Sequence, residues 1–254
     1  MKAKKLLAAV ILLAVSCAFG GCDTVTSVTG SSETKGEAGA GNTNQAIALV
    51  EDYLKDANPS ATVSESSFNV VETEVRKGSS ETVTTDWVRG SYNDGESRSV
   101  LVNVKSGDIY TDENWDKVDL YCTGLADSLY GAGSSDIEIA VIGTFKSPYF
   151  ADTEKLGQIS IVNMLPAGMS ADEANIKELL TKGDYQFKYV IVISDEVDMA
   201  LFKETDFSSL GSNASIHVEM YPKADYDSVL AHNDLDSYIL YEPVEIYDSE
   251  LPGN

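Results

Sequence analysis

The fold is decided by residues 82–104, which read TVTTDWVRGSYNDGESRSVLVNV. The first half of this stretch is rich in β-branched and aromatic residues, which favour strands. Asn93-Asp94-Gly95 is a strong signal for a tight hairpin turn. After the turn, Val100, Val102 and Val104 alternate with other residues, as in a strand with one buried face. The stretch therefore predicts two antiparallel strands joined by a tight turn.

Further elements are predicted on both sides of this hairpin. Phe68 to Val75 predicts a strand before it, and Ile109-Tyr110 predicts the start of a short strand after it. Apolar residues at helical spacing predict a first helix that ends at Asn58-Pro59. A second helix is predicted by an apolar stripe with steps of three and four residues, namely Trp115, Val118, Cys122, Leu125 and Leu129. A helix followed by an antiparallel meander indicates an α+β module over residues 46–131.

The chain beyond residue 135 predicts a second portion in which strands and helices are mixed. Ser170-Ala171-Asp172-Glu173 has the spacing of a capping box that opens a helix, and Gly183 ends it. Tyr189 to Ile193 is almost wholly apolar, which predicts a central strand covered on both faces. Tyr238 to Tyr247 predicts one or two edge strands interrupted by Pro243. We therefore expect an α+β protein, in which a helix plus antiparallel meander is followed by a mixed α/β domain over residues 135–254.

The region from Asn44 to Tyr130 resembles the cystatin-like or PepSY-like modules of exported bacterial proteins. The resemblance rests on the order of the predicted elements and on the run Asp108-Ile109-Tyr110-Thr111, and it covers about a third of the chain. Such modules are generally binding or inhibitory, so the resemblance implies binding rather than catalysis. It transfers no functional residue to this chain.

The N-terminal 22 residues have the parts of an export signal. Three lysines among the first five residues precede an apolar run from Leu6 to Val15, and the segment ends in Gly20-Gly21-Cys22. Two glycines before a cysteine resemble the lipobox of bacterial lipoproteins. In that family the signal peptide is cut before the cysteine, which is diacylated and holds the protein on the outside of a membrane. Phe19 departs from the usual leucine, Cys17 is a competing lipidation site, and an ordinary cleaved signal without lipid is a further alternative.

These features predict that the protein lies outside the cytoplasm. Residues 1–21 are predicted to be a lipoprotein signal peptide, and residues 22–45 a flexible tether. The tether prediction follows from its Ser, Thr, Gly, Ala and Glu content, which cannot bury enough apolar surface to offset the entropy of ordering. The predicted location is the outer face of a bacterial plasma membrane, with the lipid on Cys22 as the membrane contact.

The charge of the chain excludes some functions. The sequence has 18 Lys and Arg residues against 41 Asp and Glu residues. Removing the predicted signal peptide, with its three lysines, leaves 15 basic and 41 acidic residues and a formal net charge of −26. This argues against nucleic-acid binding, which needs cations to neutralise phosphates. Solubility is one interpretation of the acidity, and a cationic partner or calcium is another.

Residues with catalytic or metal-binding chemistry are few. Cys122 is the one cysteine outside the export segment, and it lies within the apolar stripe of a predicted helix, which favours a buried core residue over a nucleophile. The two histidines, His217 and His232, accompany neither a Gly-x-Ser-x-Gly motif nor zinc-ligand spacing. One acidic cluster suits calcium by its predicted loop setting but lacks EF-hand spacing, and consists of Asp225, Asp227, Asp234 and Asp236.

Three functional hypotheses follow. The leading one is a membrane-anchored lipoprotein that is not an enzyme and binds a protein partner of unknown identity through a sheet face or edge. The alternative is a lipoprotein that binds a small ligand or calcium. A hydrolase comes third. Paired carboxylates serve glycosidases, but a sugar-binding cleft is usually rich in tryptophan, and the sequence has two tryptophans. No organic cofactor is expected.

Overall fold

The computed structural model describes residues 37–74, 80–130, 134–151, 154–231 and 243–251. Within these ranges the helices are α1 (Glu37–Ala57), α2 (Trp115–Tyr130), α3 (Glu173–Lys182), α4 (Ala200–Glu204) and α5 (Lys223–Ala231). The strands are β1 (Thr62–Val63), β2 (Asn69–Glu74), β3 (Thr82–Asn93), β4 (Ser97–Asn103), β5 (Ile109–Thr111), β6 (Ile137–Ala151), β7 (Glu154–Val162), β8 (Leu165–Pro166), β9 (Tyr185–Ser194), β10 (Ala214–Tyr221) and β11 (Glu245–Glu250). None of the helices in these ranges has the length and apolar character to cross a membrane.

The predicted hairpin is formed by β3 and β4, with Gly90 opposite Val100. In its turn, the backbone N–H of Asp94 donates to the carbonyl of Glu96 at 3.1 Å, and Gly95 adopts a φ of 110°. Residues other than glycine rarely adopt this φ, which explains why the turn sequence contains a glycine. The described strands of this sheet have the order β1-β3-β4-β5-β8, and β2 also pairs with β3. The antiparallel meander predicted from residues 82–104 is therefore confirmed.

Helix α1 packs its apolar stripe on this sheet. Its buried residues Ala46, Val50 and Leu54 belong to one core with Phe68, Val88, Tyr92, Val100 and Val102. The helix begins at Glu37, so residues 37–45 are helical, whereas the sequence placed them in a flexible tether. A helix anchored by a buried face extends readily, because each added residue gains a hydrogen bond without a new nucleation cost. The other residues of the predicted tether lie outside the described residues.

The second sheet has the order β11-β10-β9-β6-β7 among the described strands. Strands β9 and β10 are parallel, whereas β6–β9 and β10–β11 are antiparallel, so the sheet contains both kinds of pairing. In β9 the residues from Tyr189 to Ile193 are all fully buried. The prediction of a central strand covered on both faces is therefore confirmed. Together the two sheets and the helices confirm the α+β class.

Helices α2 and α3 differ from their predictions in detail. The Oδ1 of Asp172 accepts the N–H of Asn175 at 3.0 Å, so Asp172 is the N-cap of α3, whereas the capping-box prediction assigned that role to Ser170. Gly183 closes α3 in the left-handed conformation, as predicted. In α2, the buried face beyond Cys122 continues through Ala126 and Tyr130. The predicted Leu125 and Leu129 are half-buried, because the stripe drifts around a helix with 3.6 residues per turn.

The described chain forms two compact units. One, called the meander unit, comprises the described chain up to Trp115 together with Lys146–Ser170. The other, called the mixed-sheet unit, comprises Asp116–Phe145 and the described chain from Ala171 onward. The sequence placed its two modules at residues 46–131 and 135–254, so the observed units divide the chain at different positions.

Candidate functional site

Three polar side chains lie on one face of strand β10. Alternate residues of a strand point to the same face, so His217, Glu219 and Tyr221 lie side by side. The pairing register shows which residues of the neighbouring strands lie on the same face. Asp248 on β11 is directly opposite His217, and Lys188 on β9 is opposite Ser215. The core of the mixed-sheet unit thus carries charged side chains on one sheet face.

His217 is held between two carboxylates. Its Nδ1 lies 2.6 Å from Oδ1 of Asp248, and its Nε2 lies 2.8 Å from Oε1 of Glu219. Tyr221 donates its hydroxyl to Oε2 of Glu219 at 2.8 Å. The imidazole is 6% exposed, whereas the Asp248 side chain is 45% exposed. His217 is therefore a buried side chain that joins β10 to β11 through its contact with Asp248.

The contacts of His217 favour its charged form. Ionised carboxylates are acceptors only, so each ring nitrogen needs its own proton to donate to its carboxylate. Burial by itself lowers the pKa of His217, but the hydrogen bonds to Glu219 and Asp248 outweigh burial and raise it above its ordinary value. For Glu219, burial acts to raise the pKa, but the hydrogen bonds from His217 and Tyr221 leave it below its ordinary value. The pair is thus a charge-assisted contact of imidazolium and carboxylate.

Lys188 adds a second cation to this face. Burial lowers the pKa of its ammonium group to about 8, against the opposing effect of the carboxylates of Asp248, Glu219 and Glu250. The charged residues that interact here are called the charged cluster, and consist of Lys188, His217, Glu219, Asp248 and Glu250. With both cations charged, the cluster holds two positive and three negative groups.

Strand β11 is the end of the sheet in the described part of the chain, and its outer residues are exposed. Ile246 within β11 is 53% exposed, and Val244 directly before the strand is 60% exposed. The register places Ile246 opposite Glu219, so Ile246 lies on the same sheet face as the charged cluster. We call these exposed residues the β11 face, which consists of Val244 just before the strand and Ile246, Asp248 and Glu250 within it.

The outer edge of β11 also presents backbone groups. The N–H of Leu251 donates to the carbonyl of Ala214 at 3.0 Å, which makes these residues a hydrogen-bonded pair. In an antiparallel ladder, backbone groups alternate between the partner strand and the outside. The N–H and C=O groups of Ile246, Asp248 and Glu250 therefore point away from β10. No described strand pairs with this outer edge.

The acidic cluster proposed for calcium is only partly described. Asp225 and Asp227 lie on α5, whereas Asp234 and Asp236 lie outside the described residues. Within the described ranges, no three His, Cys, Asp or Glu residues are grouped so that they could hold a metal ion. Cys22 and Cys17, the predicted lipidation sites, also lie outside the described residues. The lipidation and calcium predictions therefore stay predictions.

Cys122 is a core residue, in line with its position in the predicted stripe. It is fully buried, and burial raises the pKa of its thiol to about 12. A reactive thiol needs the opposite environment, exposed and electropositive. The nearby carboxylate of Asp119 raises the pKa further, although a hydrogen bond with Tyr189 acts to lower it.

A second group of polar contacts lies in the meander unit. Tyr53 on α1 and Tyr92 on β3 both donate to Oε2 of Glu113, at 3.2 and 3.4 Å. Gln45 donates its side-chain amide to the carbonyl of Val104 at 2.8 Å. These contacts attach α1 to the sheet at two points, so we interpret them as structural. Beside α1 lies an open groove lined by Thr43, Asn44, Ile47, Val63, Glu65 and Ser66.

The charged cluster was not recognised from the sequence. From the sequence, His217 was compared only with catalytic and zinc-binding motifs, and its neighbours were left out. The alternation of His217, Glu219 and Tyr221 along one strand would have placed these three together. Lys188 and Asp248 come from other strands, and their positions follow only from the register of the sheet.

No family model matches this chain, and no curated protein matches it. Among solved structures, the chain is similar to the crystal structure of a DUF5037 family protein from Ruminococcus gnavus. The two chains share 12% sequence identity with a TM-score of 0.39, over 80% of this chain and 90% of that chain. At this TM-score, the similarity carries no argument about family or function.

Proposed function

We propose that this protein is a bacterial lipoprotein on the outer face of the plasma membrane that binds a protein partner and does not catalyse a reaction. In this proposal a lipid on Cys22 holds it at the membrane, and the β11 face contacts the partner. The observation that carries the binding role is the pair of exposed apolar side chains, Val244 and Ile246, at the end strand of the described sheet.

An edge strand with exposed apolar residues is a recognition surface or an aggregation hazard. Proteins protect such edges with charges, proline or short strands. Here Pro243 and the acids Asp248 and Glu250 flank the apolar pair, which limits pairing between copies because the acids of both copies repel. A partner strand that brings its own apolar and basic residues would not be repelled. Addition of an extended segment to a sheet edge is a common mode of peptide recognition.

The strong acidity of the chain is consistent with an anchor on lipid. A formal charge of −26 after removal of the signal peptide gives no attraction to an anionic membrane, so attachment needs the lipid itself. The same charge keeps neighbouring copies apart and favours a basic partner.

Site-specific photo-crosslinking in the native cell tests the binding role. A photo-reactive amino acid replaces Ile246 in one variant and Leu120 in a matched control. Leu120 is a large apolar residue on α2 that is 75% exposed. We expect a discrete crosslinked protein from position 246 that position 120 does not give. The same products from both positions, or none from position 246, would contradict the proposal.

The anchor is tested separately with Cys22→Ala and Cys17→Ala. We expect Cys22→Ala to abolish labelling by radioactive palmitate and to release the protein from the membrane fraction, while Cys17→Ala retains both. The reverse pattern would assign the lipid to Cys17. Unchanged membrane retention without labelling in the wild type would refute the lipid anchor.

A further inference from the structure

We propose that His217 is a proton-dependent clasp for β11, which holds this strand on the sheet while the imidazole is charged and loosens it when the imidazole is neutral. The inference rests on the proposed function in one respect, namely that β11 is the strand that contacts the partner. It therefore assigns a regulation to that same site, in which alkaline conditions weaken the attachment of the binding strand.

The geometry requires two protons on the ring. Both ring nitrogens lie within 2.8 Å of a carboxylate oxygen, so a neutral imidazole would face one carboxylate with a lone pair instead of a proton. The imidazole is 6% exposed, so water cannot reach this lone pair. Rotation of the ring does not help, because the other nitrogen faces the second carboxylate. Loss of a proton thus replaces a charge-assisted hydrogen bond by repulsion between lone pairs.

The position of His217 makes β11 the element that responds. Asp248 is the cross-strand partner of His217, and β10 is the one described strand with which β11 pairs. The ladder between them has six residue pairs, from Ser215–Glu250 to Met220–Glu245. Short terminal strands open at lower free energy than central ones, so a weakened cross-strand contact is expressed as local opening of β11.

The groups around His217 differ in the direction of their pH dependence. The titratable groups around His217 in the described part of the chain are Lys188 from β9, Glu219 and Tyr221 from β10, and Asp248 and Glu250 from β11. Burial lowers the pKa of Lys188 to about 8, so its charged form is disfavoured in the folded sheet and its deprotonation at higher pH favours the closed sheet. Lys188 therefore opposes the effect of His217 in alkaline solution, and the opening of β11 is assigned to His217 alone.

The sign of the pH dependence follows from the directions of the shifts. The pKa of His217 is raised in the folded protein, so its stabilising contribution is complete at low pH and is lost as the pH rises through the folded value. The pKa of Glu219 is lowered, so its contribution is complete at neutral pH and is lost in acid as the pH falls through its folded value. The clasp is closed between these two limits, which places the opening transition on the alkaline side.

Amide hydrogen exchange of the full secreted chain, read by NMR between pH 6 and pH 9, tests the clasp. The quantity compared is the protection factor of β11 amides that pair with β10, such as those of Tyr247 and Ser249, divided by that of amides in β9. We expect this ratio to fall with rising pH, by about tenfold for each unit by which folding raises the imidazole pKa. A ratio that does not change with pH refutes the clasp.

Three variants decide whether His217 is responsible. In His217→Gln the side chain no longer titrates, so most of the pH dependence of the ratio should disappear. Asp248→Asn keeps an acceptor oxygen but removes the charge, so it should reduce the pH dependence of the ratio. This variant provides the test if His217→Gln does not fold. His232→Gln replaces the other histidine of the mature chain and should leave the profile unchanged. A full pH dependence in both of the first two variants, or its loss in His232→Gln, overturns the assignment.

The outcomes separate this inference from the proposed function. A pH-dependent β11 without a crosslink from position 246 supports the clasp and refutes the binding role of the strand. A specific crosslink from position 246 together with a pH-independent β11 supports the binding role of the strand and refutes the clasp.

Discussion

Replacement of Gly90 by alanine tests how the meander unit is packed. Gly90 lies in β3, and a Cβ atom at this position would meet three ring atoms of Phe68 at 2.6 Å. Real Cβ atoms essentially never approach other atoms this closely. Phe68 is 3% exposed and belongs to the core beneath α1, so its ring has little space to move. We therefore expect Gly90→Ala to push the ring of Phe68 into this core.

The magnitude follows from two opposing effects. Overpacking of a dense core costs about 1–3 kcal/mol. Alanine in a strand is favoured over glycine by about 0.5–1 kcal/mol, because glycine loses more backbone entropy on folding. We expect Gly90→Ala to lower the free energy of unfolding by about 1–2 kcal/mol. In a Phe68→Ala background the clash is absent, so the same substitution should stabilise the protein by about 0.5–1 kcal/mol.

Urea denaturation of the four proteins of this double-mutant cycle measures the effect. The chain is purified without residues 1–21, the predicted signal peptide, and with Cys22→Ala, so that the predicted lipid anchor is absent. Gly124→Ala is a control, because nothing lies within 4 Å of a Cβ atom at this exposed position of α2. The control should stabilise the protein by about 0.5–1 kcal/mol. Equal effects of Gly90→Ala in the presence and absence of the Phe68 ring would refute the reasoning.

Two further predictions concern a buried thiol and a helix cap. With a pKa of about 12, Cys122 in the native protein should react with a disulfide reagent at pH 8 at least about 1,000-fold more slowly than in the urea-unfolded protein, as followed by absorbance. Comparable rates in the two states would show that the thiol is accessible. Asp172→Ala should lower the free energy of unfolding by about 0.5–2 kcal/mol, because the N–H of Asn175 loses its acceptor. Ser170→Ala should lower it by less than Asp172→Ala does, and the opposite ranking would favour the capping box predicted from the sequence.

Elements whose signals are local were predicted well. The turn at Asn93-Asp94-Gly95 and the apolar run from Tyr189 to Ile193 each specify their structure through neighbouring residues, and both predictions were confirmed. The pairing of β5 with β8 was not predicted. The sequence assigned all residues from 135 onward to the second portion, whereas Leu165 pairs with Thr111 of the meander. No local pattern encodes a pairing between residues so far apart in the chain.

The candidate site shows the same limit. The side chains of β10 share a face because a strand repeats every two residues, which the sequence shows directly. Their contacts with Lys188 and Asp248 depend on which strands are neighbours and in what register, and these are properties of the assembled sheet. The sequence of β10 therefore places Glu219 beside His217 but gives no sign of the second carboxylate, that of Asp248.

Each compact unit is built from two separate stretches of chain, and this has a consequence for how the protein can be cut and how it folds. The meander unit needs Lys146–Ser170, which supplies β8, and the mixed-sheet unit needs Asp116–Phe145, which supplies α2 and most of β6. A gene truncated between residues 131 and 135 would lose part of the first unit and would separate the second from α2. The meander unit lacks β8 until Ser170 has been synthesised, although β1 to β5 can pair with one another before then. In the mixed-sheet unit, α2 and β6 must wait for β9, which follows later in the chain.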